Sequence, residues 1–298
     1  MKVNTDSLIL GSWAQLRANL GHAPRILDIG TGSGILALMM AQKAESFYPL
    51  SCSERELDSC GADSLSADST EKEKAKKEST SSFVSSGKSL LSHNYDAARI
   101  DAIEIDKDAA AQAAINFENS KWAGQLRIRN CDLAGFEPAY LYDTIISNPP
   151  YFESPAKLSN AYSKQSHNRS VARQTSTLSP DELFNASSAL LMESGQMYCV
   201  YPTSMAADII KTAAGYGLLL EAMLYVKHTS DKDPYLCGFR FNKVIENASG
   251  EHADCIAYAE RQLFITKVAS ENALIIRDRE GNYTNEYKAL CQPYYLKF

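Results

Sequence analysis

Apolar residues along this chain fall into short, nearly continuous runs that alternate with stretches of helical spacing. The run "RILDIG" (25–30) predicts a buried strand, and "ILALMMAQK" (35–43) predicts a helix packed on it, with Met39 and Met40 filling core space. "IDAIEID" (100–106) predicts a second strand, and residues 107–122 a helix capped by Asp106. Further strands are predicted over 126–130, 142–148, 196–202, 218–226 and 235–244, with a helix over 180–192. Strand and helix alternate with short connections, which implies an α/β fold with a parallel sheet covered on both faces.

Between the first helix and the second strand this rhythm stops. Residues 45–98 are serine-rich, include the mixed-charge run "EKEKAKKESTSS", and carry little periodic apolar content. Such a stretch buries too little surface to offset the entropy of ordering, so a disordered insertion within one domain spanning residues 1–298 is expected. It also holds ten acidic and six basic side chains, which supplies four of the six excess negative charges on the chain. A net acidic balance argues weakly against a nucleic-acid partner, but outside the insertion the charge is close to even. The seven cysteines form no CxxC pair and the five histidines show no ligand spacing, so neither a metal site nor a disulfide framework is expected. With no apolar run near the ~20 residues of a membrane helix and no signal-peptide pattern at the start, a cytoplasmic protein with no membrane partner is expected.

The chemistry begins at "DIGTGSG". Gly30, Gly32 and Gly34 stand where a buried strand turns into a helix, which lets the backbone approach a ligand at the helix N-terminus. A dinucleotide fingerprint would place its third glycine at Ile35, and no Gly-Lys-Ser phosphate loop occurs. Glu104, at the end of the second strand, is placed to accept from ribose hydroxyls, and Asp132, at the end of the third, from an adenine amino group. Together with Asp28 beside the glycines, these acids resemble the class I methyltransferase core that binds S-adenosylmethionine.

After the fourth predicted strand stands "SNPPYF". It resembles the motif of methyltransferases that act on planar amino or amide nitrogens, whose lone pair is delocalised and must be aligned with the methyl donor. The Asn148 side-chain oxygen and the Pro149 carbonyl can each accept an N–H, Pro149 and Pro150 restrict the backbone so that the two converge, and Tyr151 can stack on the planar group. This pattern alone leaves open adenine in RNA or DNA and the glutamine amide of a release factor.

Wider resemblance narrows the choice. The opening "MKVNTDSLILGSWA", the glycine turn, "DAIEIDKDAAAQAAINFENSKWA", "ISNPPYF" and the tail "NYTNEYKALCQPYYL" are together similar to the bacterial tRNA1(Val) adenine-N6 methyltransferase family, which modifies the adenine at position 37. The resemblance implies a Rossmann-like fold with a mostly parallel seven-stranded sheet whose last strand is antiparallel. It implies that Asp28, Gly30, Thr31, Gly32, Gly34, Glu104, Asp132 and Asn148 bind S-adenosylmethionine. Asn148, Pro149, Pro150 and Tyr151 would then hold the target adenine of tRNA1(Val). Relatives make the 45–98 connection with a short loop and carry a strand-forming segment ahead of "MKV", so a start upstream of Met1 is expected.

The alternatives are a protein glutamine-amide methyltransferase and a non-catalytic binding module. The former usually carries a helical domain before the glycine turn, and only 27 residues precede Asp28 here, which favours RNA. Residues 157–173 hold Lys157, Lys164, Arg169 and Arg173 with no acid, so Lys164, Arg169 and Arg173 are expected to meet tRNA phosphates beside the site. A monomer is expected.

Overall fold

The computed structural model describes residues 4–17, 20–47, 97–150, 178–244 and 255–295. Its strands are β1 (Arg25–Ile29), β2 (Arg99–Glu104), β3 (Leu126–Asn130), β4 (Tyr142–Ser147), β5 (Leu191–Pro202), β6 (Leu218–Lys227), β7 (Leu236–Lys243) and β8 (Leu274–Ile275). They form one sheet in the order β3-β2-β1-β4-β5-β7-β6-β8. From β3 to β5 all neighbours are parallel, whereas β7 runs antiparallel to both β5 and β6. The Rossmann-like, mostly parallel sheet is therefore as expected, including the antiparallel seventh strand, but it has eight strands rather than seven. The extra one, β8, pairs with β6 through only two residues, too short a run to be read from periodicity.

The helices are α1 (Thr5–Trp13), α2 (Ile35–Phe47), α3 (Lys107–Glu118), α4 (Pro180–Leu190), α5 (Ala206–Gly215), α6 (Cys255–Glu271) and α7 (Asn285–Cys291). Alternation along β1 sends Ile26 to one face of the sheet and Leu27 and Ile29 to the other, and each face has its own core. Met39 and Met40 are buried in the first, beside Leu8, Leu10, Ile100 and Tyr287. Phe184, Phe239 and Phe241 anchor the second.

Local chemistry fixes the ends. Asp106 caps α3 by accepting from the amides of Asp108 and Ala109, and Ser179 and Glu182 form a reciprocal capping box on α4 with Pro180 in its first turn. Helix α3 stops at Glu118, short of residue 122, because the chain turns back and the Gln125 amide donates to the Trp122 carbonyl. Strand β5 starts at Leu191, five residues before the predicted start at Gln196. Ser194 takes a φ of 60°, and the register with β4 shifts there, so the added residues are absorbed as an irregularity.

Helix α2 runs to Phe47, so the first residues assigned to the insertion are helical. Glu45 is held there by Lys121 Nζ at 2.8 Å and by the Trp122 indole N–H at 3.2 Å, and Ala98 at the far end is buried. The rest of the insertion, residues 48–96, lies outside the described residues.

Helix α1 was not predicted, because its apolar positions continue through several consecutive residues. It packs on α2 and on α7, which brings the opening block and the tail of the sequence together. Lys43 Nζ on α2 donates to the carbonyls of Ser12, at 2.7 Å, and Ala14, closing the C-terminal end of α1. Gln42 Nε2 donates to the Pro293 carbonyl at 2.8 Å on the side of the tail.

Candidate active site

Strand order reverses at β1: β2 and β3 lie on one side of it, β4 and β5 on the other. The carboxyl ends of β1 and β4 therefore flank a crevice. A cleft of about 400 Å³ opens there, bordered by Gly30, Glu104, Asp132, Pro149, Pro150 and, from α4, Asn185. Residues far apart in the sequence meet in it because parallel register sets Ile29 beside Ser147 and Ile103 beside Ile29.

The glycine turn requires its glycines. Gly30, Gly32 and Gly34 have φ of 69°, 58° and 88°, and at Gly30 and Gly32 a Cβ would project into open space where a ligand can approach. Gly34 is constrained from the other side, since a Cβ there would lie 2.4 Å from the ring of Phe117.

Most of the turn's amides are already engaged within the protein. Gly30 and Thr31 donate to the Ile103 carbonyl at 3.0 and 3.1 Å, Gly34 to the Thr31 carbonyl at 3.0 Å, and Gly32 to Glu104 Oε2 at 2.8 Å. Two carboxylates, Asp28 and Glu104, flank the turn. A diphosphate needs free amides and positive potential, and the turn supplies neither in quantity.

Asp28 lies wholly buried beneath the turn. Its Oδ2 accepts from the Thr31 hydroxyl and, at 3.0 Å, from the Ala37 amide at the start of α2, while Oδ1 is buried without a hydrogen-bond partner. Burial pushes its pKa up to about 7 against the opposing pull of those two bonds, with Glu104 adding a smaller upward push. The carboxylate that borders the open cradle is that of Glu104, and it suits a cationic ligand group and disfavours an anionic one. The residues therefore fit the sulfonium cofactor implied by the sequence.

Glu104 Oε1 also accepts from the Asp106 amide at 2.9 Å. Asp132 stands two residues beyond β3 and caps a single 3-10 turn (Leu133–Gly135) by accepting from the Ala134 amide at 3.3 Å. It is exposed at the cleft, as is Ile105, and the half-buried Leu133 lines the cleft beside it.

Asn148 is half-buried at the end of β4. Two serine hydroxyls fix its surroundings. Ser147 Oγ donates to the Ile29 carbonyl at 2.8 Å, tying the strand end to the residue before the glycine turn. Asn148 Nδ2 donates to Ser7 Oγ at 2.8 Å, a contact with α1 across 141 positions of sequence.

Of the predicted residues, Gly30, Glu104, Asp132, Pro149 and Pro150 meet in one cleft. Asp28, Thr31 and Gly34 support the turn from beneath and Gly32 leaves open space beside it, whereas Asn148 is not among the residues that line the cleft: it stands next to Pro149 and is held to α1 by Ser7. Tyr151, Lys164, Arg169 and Arg173 lie outside the described residues. Sequence reasoning missed Ser7, Ser147 and Asn185: Ser147 is a small polar residue ending an apolar run, a usable signal, whereas Ser7 follows the polar stretch Asn4-Thr5-Asp6 and Asn185 is one polar residue among several on α4. Among the described residues there is no cluster of three or more His, Cys, Asp and Glu able to hold a metal ion, and no helix is long and apolar enough to cross a membrane.

Comparison with known proteins shows the family. The UPF0020 family, an RMKL-like methyltransferase domain, matches residues 18–171. The chain is 33% identical to the tRNA1(Val) (adenine(37)-N6)-methyltransferase of Pseudoalteromonas atlantica, covering 100% of this chain and 93% of that one. The proteins of that name from Proteus mirabilis and Tolumonas auensis are 27% and 29% identical, each covering 100% of this chain and 88% and 91% of their own. Among solved structures, a predicted O-methyltransferase of Agrobacterium tumefaciens is 16% identical, covering 92% of this chain and 99% of that one, with a TM-score of 0.45. Full-length similarity of this kind, on a chain with the glycine turn and the Asn-Pro-Pro segment at one sheet edge, places it: it belongs to the tRNA1(Val) (adenine(37)-N6)-methyltransferase family.

Proposed function

We propose that this chain is an S-adenosylmethionine-dependent methyltransferase that methylates N6 of adenine 37 in tRNA1(Val), in the cytoplasm where tRNA resides. One observation carries the reading: the Asn148-Pro149-Pro150 segment stands at the same sheet edge as the glycine turn, its prolines lining the cleft that Gly30 and Glu104 border. The relatives' names, which specify adenine in tRNA, favour this substrate over a glutamine amide.

Gly30, Gly32, Glu104 and Asp132 would hold the cofactor, with Asp28 supporting the turn below. When bound, S-adenosylmethionine supplies an electrophilic methyl group carried on a sulfonium. The protein's part is alignment. The Asn148 carboxamide oxygen and the Pro149 carbonyl accept the two N–H groups of the adenine amine, which holds the nitrogen and favours a pyramidal geometry with its lone pair aimed across the cleft. Tyr151 stacks on the base, and Lys164, Arg169 and Arg173 meet phosphates beside it. No strong base is required, because the methylated nitrogen is cationic and releases its proton readily.

Incubation with labelled methyl donor and tRNA from cells lacking the modification, followed by nucleoside analysis, tests the proposal. N6-methyladenosine at position 37 is expected. Label in another nucleoside, or in a protein glutamine, would overturn it.

A further inference from the structure

Ser7 occupies an unusual place. It is 7% exposed, in a helix whose next three residues, Leu8, Ile9 and Leu10, are 3%, 1% and 0% exposed. A hydroxyl in such a setting contributes little to helix propensity or to packing, and it must find a polar partner. Its partner is the Asn148 side chain, whose Nδ2 donates to Ser7 Oγ.

Among the described residues this is the one hydrogen bond made by the Asn148 carboxamide. A carboxamide has a donor end and an acceptor end of nearly equal size. A carboxamide left to swing about its Cβ–Cγ bond would keep its oxygen on the adenine amine only part of the time, and the lone pair would lose its alignment. Ser147 does not restrain it, since its hydroxyl fixes only the main chain through the Ile29 carbonyl.

Ser7 is in turn firmly placed. Lys43 closes the C-terminal end of α1 through the carbonyls of Ser12 and Ala14, and Tyr235 donates to Asp6 Oδ1 at 3.3 Å near its N-terminal end. The hydroxyl is therefore presented from a helix held at both ends.

We infer that Ser7 is a positioning residue for methyl transfer: its hydroxyl anchors the Asn148 carboxamide to α1 and so limits its swing beside the adenine amine. This rests on the proposed adenine methylation, and it extends the catalytic machinery to the N-terminal helix, which lies outside the glycine turn and the Asn-Pro-Pro segment.

The test compares Ser7→Ala, Ser7→Thr and Ser7→Val with the wild-type chain, measuring kcat on unmodified tRNA, donor affinity by calorimetry and the thermal midpoint. Ser7→Ala is expected to lower kcat roughly tenfold, the scale of a lost aligning hydrogen bond, with donor affinity and midpoint little changed. Ser7→Thr keeps the hydroxyl and should recover most of the rate, whereas Ser7→Val, of the same shape without it, should not. Wild-type kcat in Ser7→Ala, or equal rates in the Thr and Val variants, would overturn the inference. So would a loss of rate that merely follows loss of donor affinity and melting temperature. A wild-type chain that methylates no tRNA overturns the functional reading itself, and this inference with it.

Discussion

The Glu104 carboxylate reaches from the end of β2 to the backbone of Gly32, accepting its amide at 2.8 Å. With its other oxygen on the Asp106 amide, it links the glycine turn to the start of α3. A carboxylate accepts about four hydrogen bonds, so it can hold the turn and still receive ribose hydroxyls.

Two substitutions should therefore fail in opposite ways. Glu104→Ala is expected to weaken S-adenosylmethionine binding by roughly 10- to 100-fold, the loss of one charge-assisted hydrogen bond or slightly more, with turnover at saturating donor less affected. Asn148→Ala should lower kcat by about 100-fold or more with donor affinity unchanged. Calorimetry and single-turnover methylation separate the two, and parallel losses in both variants would contradict the division of labour.

Asp28 should make the stability of the ligand-free protein depend on pH. Its pKa is raised from 3.8 to about 7, so between those values the folded state binds more protons than the unfolded state. Its contribution is fully present below pH 3.8 and is lost as pH rises through about 7. Urea unfolding between pH 3.8 and about 7 should show stability falling with rising pH, and Asp28→Asn should flatten that slope.

Gly34→Ala combines a strained φ of 88° with a Cβ pressed on the Phe117 ring. A loss of about 1–3 kcal/mol in unfolding free energy is expected, read from the urea midpoint at constant m-value.

Neutralising Arg169 and Arg173 together should weaken tRNA binding and flatten its dependence on salt while leaving donor affinity intact. Filter binding across a salt series measures it, and unchanged affinity at low salt would remove both residues from the interface.

How far the sequence could be read follows from what each feature depends on. The strand from Leu126 to Asn130 was legible to the residue, and the start of α3 at Lys107 was set by a local cap on Asp106. Asp28, Glu104 and Asp132 were legible as site candidates because each lies at or within two residues of a strand's carboxyl end. That Asp28 lies under the turn, whereas Glu104 borders the cleft, was not, since strand position does not disclose which carboxylate oxygen is buried. Helix α1 and β8 were hidden for different reasons, one by continuous apolar residues without a helical period and the other by its length. Ser7 could not be assigned, because its role depends on a partner 141 positions away, brought close only by tertiary packing.

The seating of α1 against α7 ties the N-terminal helix to chain far away in sequence. Without residues 285–291, the helix carrying Ser7 would lack part of its bed. A proteolytic cut that removed them would leave the glycine turn and the Asn-Pro-Pro segment in place, yet its damage would travel through α1 and Ser7 to Asn148, so the integrity of that distant helix is a condition of the site's order.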